Sequence, residues 1–187
     1  MKQLDGTGMK RLHREWRRRT EGRLAVILDD VQGPFNVGAV IRTAAALRAE
    51  HLWLAGRTPE PGDTKVAKTA LGTERYLDVR RTETALEAIA AARAEGYQVV
   101  GIELTDAARP LHELALGPAT CLLVGHEDRG VTGPVLDACD AVAFLPQLGR
   151  VGSLNVATAA SIACYEVRRR AWTTGTGTPE AGDEGGS

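Results

Sequence analysis

The 187-residue sequence predicts an α/β domain, a mainly parallel sheet with helices on both faces. Short continuous apolar runs, such as LAVIL and TCLLV, read as strands buried on both faces. These runs alternate along the chain with segments of helical periodicity, the pattern of a crossover-connected parallel sheet. Aliphatics and alanine supply nearly all the apolar content, since aromatics make up only 4%. That composition suits helix layers packed on a sheet. The length is enough for one domain with a sizeable core.

Residues 1–22 form a basic helical extension, with Met9, Leu12 and Trp16 at helical spacing over 9–19 and arginines on the other faces. The domain proper spans 23–172 and opens with a strand, RLAVILDD, at 23–30. A loop with Gly33 and Pro34 follows, and Asn36, a good N-cap residue, starts a helix to about residue 50. HLWLAG (51–56) is the next strand, followed by the turn-rich RTPEPGD. A short helix at 64–71, a short strand at 76–79 and an Ala/Leu/Glu-rich helix at 84–95 come next, the last stopped by Gly96. Three further strands are YQVVGIEL (97–104), ATCLLVG (119–125) and AVAFLP (141–146). A loop or short helix near 110–114 separates the first two, and a helix at 133–139 separates the second pair. The final helix is expected from Ser153 to about Trp172, and the Gly/Thr/Glu tail at 173–187 is expected to be disordered.

Net charge is −1, but it is unevenly placed. Lys2, Lys10, Arg11, Arg14, Arg17, Arg18 and Arg19 crowd the N-terminal end, whereas Glu180, Asp183 and Glu184 mark the tail. The basic end points to an anionic partner. Cys121, Cys139 and Cys164 are widely spaced, with no CxxC pair and no His–Cys zinc spacing. Free thiols of this kind fit a reducing cytosol, and the expected location is cytoplasmic. No apolar run reaches membrane-span length, and the charged N-terminus lacks the apolar core of a signal peptide.

Ligands of parallel α/β sheets bind beyond the carboxyl ends of the strands. The polar residues at those ends are Asn36 and Arg42 after the first strand and His126 to Gly130 after ATCLLVG. After AVAFLP comes a loop with Gly149 and Gly152 that leads to Ser153, Leu154 and Asn155. Glycines let a ligand approach the main chain, and a helix start offers free N–H groups. Taken singly, each has a plain alternative. Asn36 and Ser153 can be ordinary caps, Glu127 a loop carboxylate, and Arg42 a surface arginine over Gly38, Ala39, Ala45 and Ala46. There is no GxGxxG, Walker loop, GxSxG elbow or HExxH, so those classes lack their signatures.

Read in order, NVGAVIRTA, LLVGHEDRGVT and LPQLGRVGSLNVATAASIACYE resemble the three motifs of the SpoU-type (TrmH-like) RNA ribose 2′-O-methyltransferases of the SPOUT class. The resemblance covers most of the chain. It implies a C-terminal deep trefoil knot, a homodimer, and S-adenosyl-L-methionine held against the loops after the last three strands. Cofactor contacts would come from Ile102, Leu104, Gly125, Leu145 and Leu154, and the catalytic set would be Asn36, Arg42, Glu127, Ser153 and Asn155. Arg42 would act either as a base or as a phosphate anchor that stabilises the developing alkoxide, since a guanidinium gives up its proton reluctantly. RNA phosphates would be gripped by Arg11, Arg14, Arg18 and Arg168. The first and third motifs and KVAKTALGTERYLDV (65–79) look most like the branch acting on the D-loop guanosine, position 18, of tRNA. Ribosomal RNA, the tRNA anticodon loop and a non-catalytic RNA-binding role are the alternatives. Gln147 stands where methionine is common, and the tail is acidic where some relatives are basic. The row Ala157, Ala160, Ser161 and Cys164 suits close packing at a dimer seam or in the knot interior.

Overall fold

The computed structural model describes residues 2–174. Seven strands form one sheet in the order β3-β2-β1-β6-β4-β7-β5, and every pairing is parallel. The strands are β1 (Arg23–Asp29), β2 (His51–Ala55), β3 (Asp78–Thr82), β4 (Gln98–Ile102), β5 (Arg109–Pro110), β6 (Ala119–Val124) and β7 (Ala141–Phe144). The helices are α1 (Gly6–Arg18), α2 (Pro34–Ala46), α3 (Thr64–Ala70), α4 (Ala85–Ala94), α5 (Gly133–Asp137) and α6 (Val156–Thr174).

Central strand β1 shows why the chain folds this way. Leu24, Val26 and Leu28 point into one core with Val37, Ile41 and Ala44 of α2 and Ala160 and Cys164 of α6. Ala25 and Ile27 point to the other face, where Ala88, Ile89 and Ala92 of α4 cover them. A period-two chain with apolar residues at every position must be covered on both sides, and here it is. The edges are blunted: β3 carries Asp78, Arg80 and Arg81, and β5 is two residues long and ends in a proline.

Several boundaries differ from expectation. The third strand is Asp78–Thr82, where 76–79 was expected, and a 3-10 turn at Thr73–Tyr76 precedes it; an edge strand tolerates the charges of Arg80 and Arg81 that lie in its second half. The loop near 110–114 holds the short β5 and a 3-10 turn at Leu111–Glu113. Helix α2 begins with Pro34 in its first turn and Gly33 as cap, so Asn36 lies inside the helix instead of capping it. Helix α6 begins at Val156, and Asn155, not Ser153, caps it. Thr173 belongs to that helix; the expected tail from 175 onward lies outside the described residues.

The small-residue row of α6 packs within the chain. Ala157, Ala160 and Cys164 are buried in the core shared with α2, and Ser161 Oγ lies 2.9 Å from Thr43 Oγ1. Arg168 continues that face and corrects the expectation that it grips RNA. Only 4% exposed, it donates to the carbonyls of Leu47, Gly22 and Arg48 at 2.8, 2.9 and 2.7 Å. Leu47 and Arg48 follow α2, where unpaired carbonyls gather negative partial charge, so the guanidinium ties the end of α2 to the start of β1. Helix α1, by contrast, buries none of its residues. It leans on the body through Trp16, edge-on to Trp172 at 5.1 Å, while Trp172 Nε1 donates to Thr20 Oγ1 at 2.7 Å.

Candidate active site

The loops that follow β1, β6 and β7 meet at the carboxyl rim of the sheet. Glu127, in the loop after β6, reaches back to the β1–α2 loop. Its Oε1 accepts from Gly33 N at 2.8 Å and Asn36 Nδ2 at 3.0 Å, and its Oε2 accepts from Gln32 N at 3.1 Å. Asn36 Oδ1 then accepts from Asn155 Nδ2 at 2.9 Å, while Asn155 Oδ1 caps α6 by accepting from Ala157 N and Thr158 N at 3.0 and 3.2 Å. One chain of hydrogen bonds thus joins segments more than ninety residues apart in sequence. Burial works to raise the Glu127 carboxyl, but the hydrogen bonds from Asn36 and from the loop backbone outweigh it and hold the group below the usual carboxylate range.

Two glycines make this approach possible. A Cβ on Gly33 would sit 2.6 Å from Glu127 Oε1, and one on Gly125 would sit 2.6 Å from the Gly130 carbonyl. Beside the network opens a cleft of about 280 Å³, walled by Ile102, Leu104, Gly125, Leu145, Leu154 and Val156, with Glu103, His126 and Arg129 on its charged side. All five residues expected to hold a cofactor line it. Ser153 lines it too, and its hydroxyl makes no hydrogen bond to the described residues.

Arg42, like Ser153, is an expected catalytic residue that the network does not reach. It lies six residues beyond Asn36, about 9 Å along the helix and a third of a turn away. It shares a face with Gly38, whose Cβ position is 2.5 Å from Val66 O of α3, and it is exposed with no hydrogen bond or ion pair to the described residues. Arg11, Arg14 and Arg18 are exposed on α1.

Some site groups were not expected from sequence. The Gln32 and Gly33 N–H donors are backbone groups, which no side-chain pattern announces. Glu103 directly follows β4 between two apolar residues, a position whose charge was a readable signal. Asp30, in a left-handed conformation (φ 54°), accepts from Arg57 Nη2 at 2.9 Å and Arg129 Nη2 at 2.6 Å. The Arg57 guanidinium, against a smaller cost of burial and with help from the Arg57 N–H and the Gln32 amide, holds the Asp30 carboxyl far below its ordinary range.

The profile of the SpoU rRNA Methylase family matches residues 23–165. The tRNA (guanosine(18)-2′-O)-methyltransferase of Escherichia coli K12 is 31% identical over 150 residues, 79% of this chain and 63% of that protein. Among the first curated relatives matched, the chain spans 56–63% of their length. An AdoMet-bound rRNA methyltransferase from Sinorhizobium meliloti superposes with a TM-score of 0.71 at 32% identity, covering 81% of this chain and 58% of that one. A structure concerned with 2′-OH methylation of C/U34 on tRNA gives a TM-score of 0.72 at 29% identity, covering 83% of this chain and 99% of that one. The matched region holds both the hydrogen-bonded network and the cleft, and by that match the chain belongs to the SpoU rRNA methylase family.

Proposed function

We propose that this protein is an S-adenosyl-L-methionine-dependent RNA ribose 2′-O-methyltransferase acting on tRNA, with the D-loop guanosine at position 18 as target nucleotide. The observation that carries the proposal is the Glu127–Asn36–Asn155 chain beside a cleft with an apolar wall and a charged one. The cleft suits the cofactor on this molecule's own terms. Its apolar walls offer a slot for an adenine, and Gln147 Oε1, at the wall, is buried without a hydrogen-bond partner among the described residues. A ligand N–H would satisfy that acceptor.

Bound S-adenosylmethionine supplies an electrophilic sulfonium methyl. The protein must orient the ribose hydroxyl, remove water and stabilise the oxygen as its proton leaves. Asn36 and Glu127 are held rigid by each other, so they can fix a ribose without reorganising. Ser153, at the cleft wall and without a hydrogen bond to the described residues, has a hydroxyl available to ligand or substrate. Arg42 stands outside its own network, and in a homodimer it would serve the partner's cleft, anchoring a phosphate or stabilising the alkoxide. Arg11, Arg14 and Arg18 on the outward face of α1 would add salt-sensitive phosphate contacts. The knotted threading of α6 belongs to this proposal and is compatible with β7 lying beyond β4 while α6 returns to pack on α2. So does a cytoplasmic setting, which three free cysteines suit and in which no described helix is long and apolar enough to cross a membrane.

A second reading, methylation at position 34 of tRNA, is favoured by the 99% coverage of the relative concerned with that site. Incubation with labelled S-adenosylmethionine and unmodified tRNA, followed by nucleotide mapping, separates the two. Label at guanosine 18 supports the first, label at nucleotide 34 the second, and no transfer to tRNA sinks both.

A further inference from the structure

The charged wall of the cleft is lopsided. Glu103, Glu127 and Asp128 line it against a single arginine, Arg129, whose Nη2 is committed to Asp30 at 2.6 Å. Glu127 faces the β1–α2 loop and has its oxygens occupied by three N–H groups. Glu103 is placed differently. It follows β4 between the cleft residues Ile102 and Leu104, and its carboxylate is aimed by backbone alone. Val131 N donates to Oε2 at 2.8 Å and Leu104 N to Oε1 at 3.0 Å. Among the described residues no lysine, arginine or histidine forms an ion pair with it. Its position is also enforced from outside: Gly130 adopts φ 64°, and a Cβ there would collide with Glu103 Oε2. A carboxylate fixed by two N–H groups, lacking a counter-cation and lining a cleft is a standing demand for a cation.

We propose that Glu103 is a specificity-determining residue that makes this cleft prefer a cationic ligand. Resting on the methyltransferase reading, this means the sulfonium form of the cofactor over its neutral thioether product. In S-adenosylmethionine the amino and carboxyl charges cancel and the sulfonium leaves a net positive charge. In S-adenosylhomocysteine that charge is gone. The same apolar slot holds both, so only the charged form gains from the acidic wall, and loss of the methyl weakens the hold on the product. For charges several ångströms apart in a partly screened cleft, the gain is on the order of ten-fold in Kd.

Calorimetric titration of the full chain with S-adenosylmethionine, S-adenosylhomocysteine and sinefungin, a thioether-free analogue bearing an amine, tests this without any turnover. The wild type is expected to bind the two cationic ligands about ten-fold more tightly than S-adenosylhomocysteine at low salt, with the gap shrinking as salt rises. Glu103→Gln keeps an oxygen for a backbone N–H, so it is expected to lose most of that gap while S-adenosylhomocysteine binding changes less than about two-fold. Glu103→Asp is expected to retain part of the gap. Equal weakening of all three ligands by Glu103→Gln assigns the residue a merely structural role and overturns the proposal, as does an unchanged gap. Should Glu103→Gln not fold, a wild-type gap that is absent, or insensitive to salt, overturns it. Failure of the wild type to bind any of the three overturns the cofactor reading itself, a different outcome from loss of discrimination.

Discussion

Replacing Glu127 by glutamine tests whether its charge is what welds the β1–α2 loop to the rim. The glutamine carbonyl can keep the two bonds now made by Oε1, to Gly33 N and Asn36 Nδ2. Its amide nitrogen then meets Gln32 N donor to donor, where Oε2 now accepts at 3.1 Å. One charge-assisted bond is lost and two are weakened, in a partly exposed setting, which amounts to about 2–3 kcal/mol. For a domain of this size each kcal/mol moves Tm by about 2–4 °C, so the melt at neutral pH is expected to fall by about 4–12 °C. The sign with pH is fixed by linkage. The folded carboxyl lies below its ordinary value of 4.5, so its contribution is fully present above that pH and is lost as pH falls through the folded pKa. Thermal melts of both proteins from neutral pH to about pH 3 should show a gap that is constant above about pH 5 and closes in acid. A difference under about 1 °C at neutral pH, or a gap that persists unchanged in acid, would refute the reasoning.

Arg168→Met is expected to cost about 2–4 kcal/mol by stranding three carbonyls. It should leave the salt dependence of tRNA binding unchanged, whereas Arg11→Ala, Arg14→Ala and Arg18→Ala should each flatten it in filter-binding assays. Gly38→Ala places a methyl 2.5 Å from Val66 O, a backbone atom. Urea unfolding should report a loss of about 1–3 kcal/mol as α2 and α3 are forced apart. Mixing Arg42→Ala with Asn36→Ala protein under exchanging conditions should restore about a quarter of wild-type methyl transfer if Arg42 serves the partner's cleft. No restoration would place Arg42 in its own site.

The strands were legible because burial on both faces leaves an unbroken apolar run, as in Leu24–Val26–Leu28 against Ala25–Ile27. The start of α2 was read two or three residues late and that of α6 three residues early, and in both cases a usable signal existed. Pro34 after Gly33 marks a first turn, and Asn155 stands directly before the alanine-rich face that packs on α2. Arg168 was misread from composition, as one of three consecutive arginines. Its phase tells otherwise, because Ala157, Ser161, Cys164 and Arg168 follow one helix face and that face is inside. The close approach at Gly38 and the backbone donors to Glu127 depend on which segments meet in space, and spacing along one chain carries no trace of them. The cleft residues were found only because the three motifs could be taken together; singly, Glu127 and Asn36 are ordinary loop and helix polar groups.

Asn155 shows why the network needs its particular residue types. Its Oδ1 caps α6 while its Nδ2 holds Asn36 Oδ1, so one side chain must accept at one end and donate at the other. Asparagine does this and aspartate does not. In Asn155→Asp the cap survives, since aspartate is an equally good N-cap and its charge suits a helix start. The bond to Asn36 becomes oxygen against oxygen, one residue from the Glu127 carboxylate in the same chain of bonds. Stability is expected to fall by about 1–2 kcal/mol, less than for Asn155→Ala, which loses cap and link together. Methyl transfer should fall by more than stability explains at temperatures where both proteins are folded, and the Asn36 side-chain amide resonance should shift. If Asn155→Asp transfers methyl groups as fast as wild type, the link between the cofactor loop and α2 is structural only, and the orientation of Asn36 must be set by Glu127 alone.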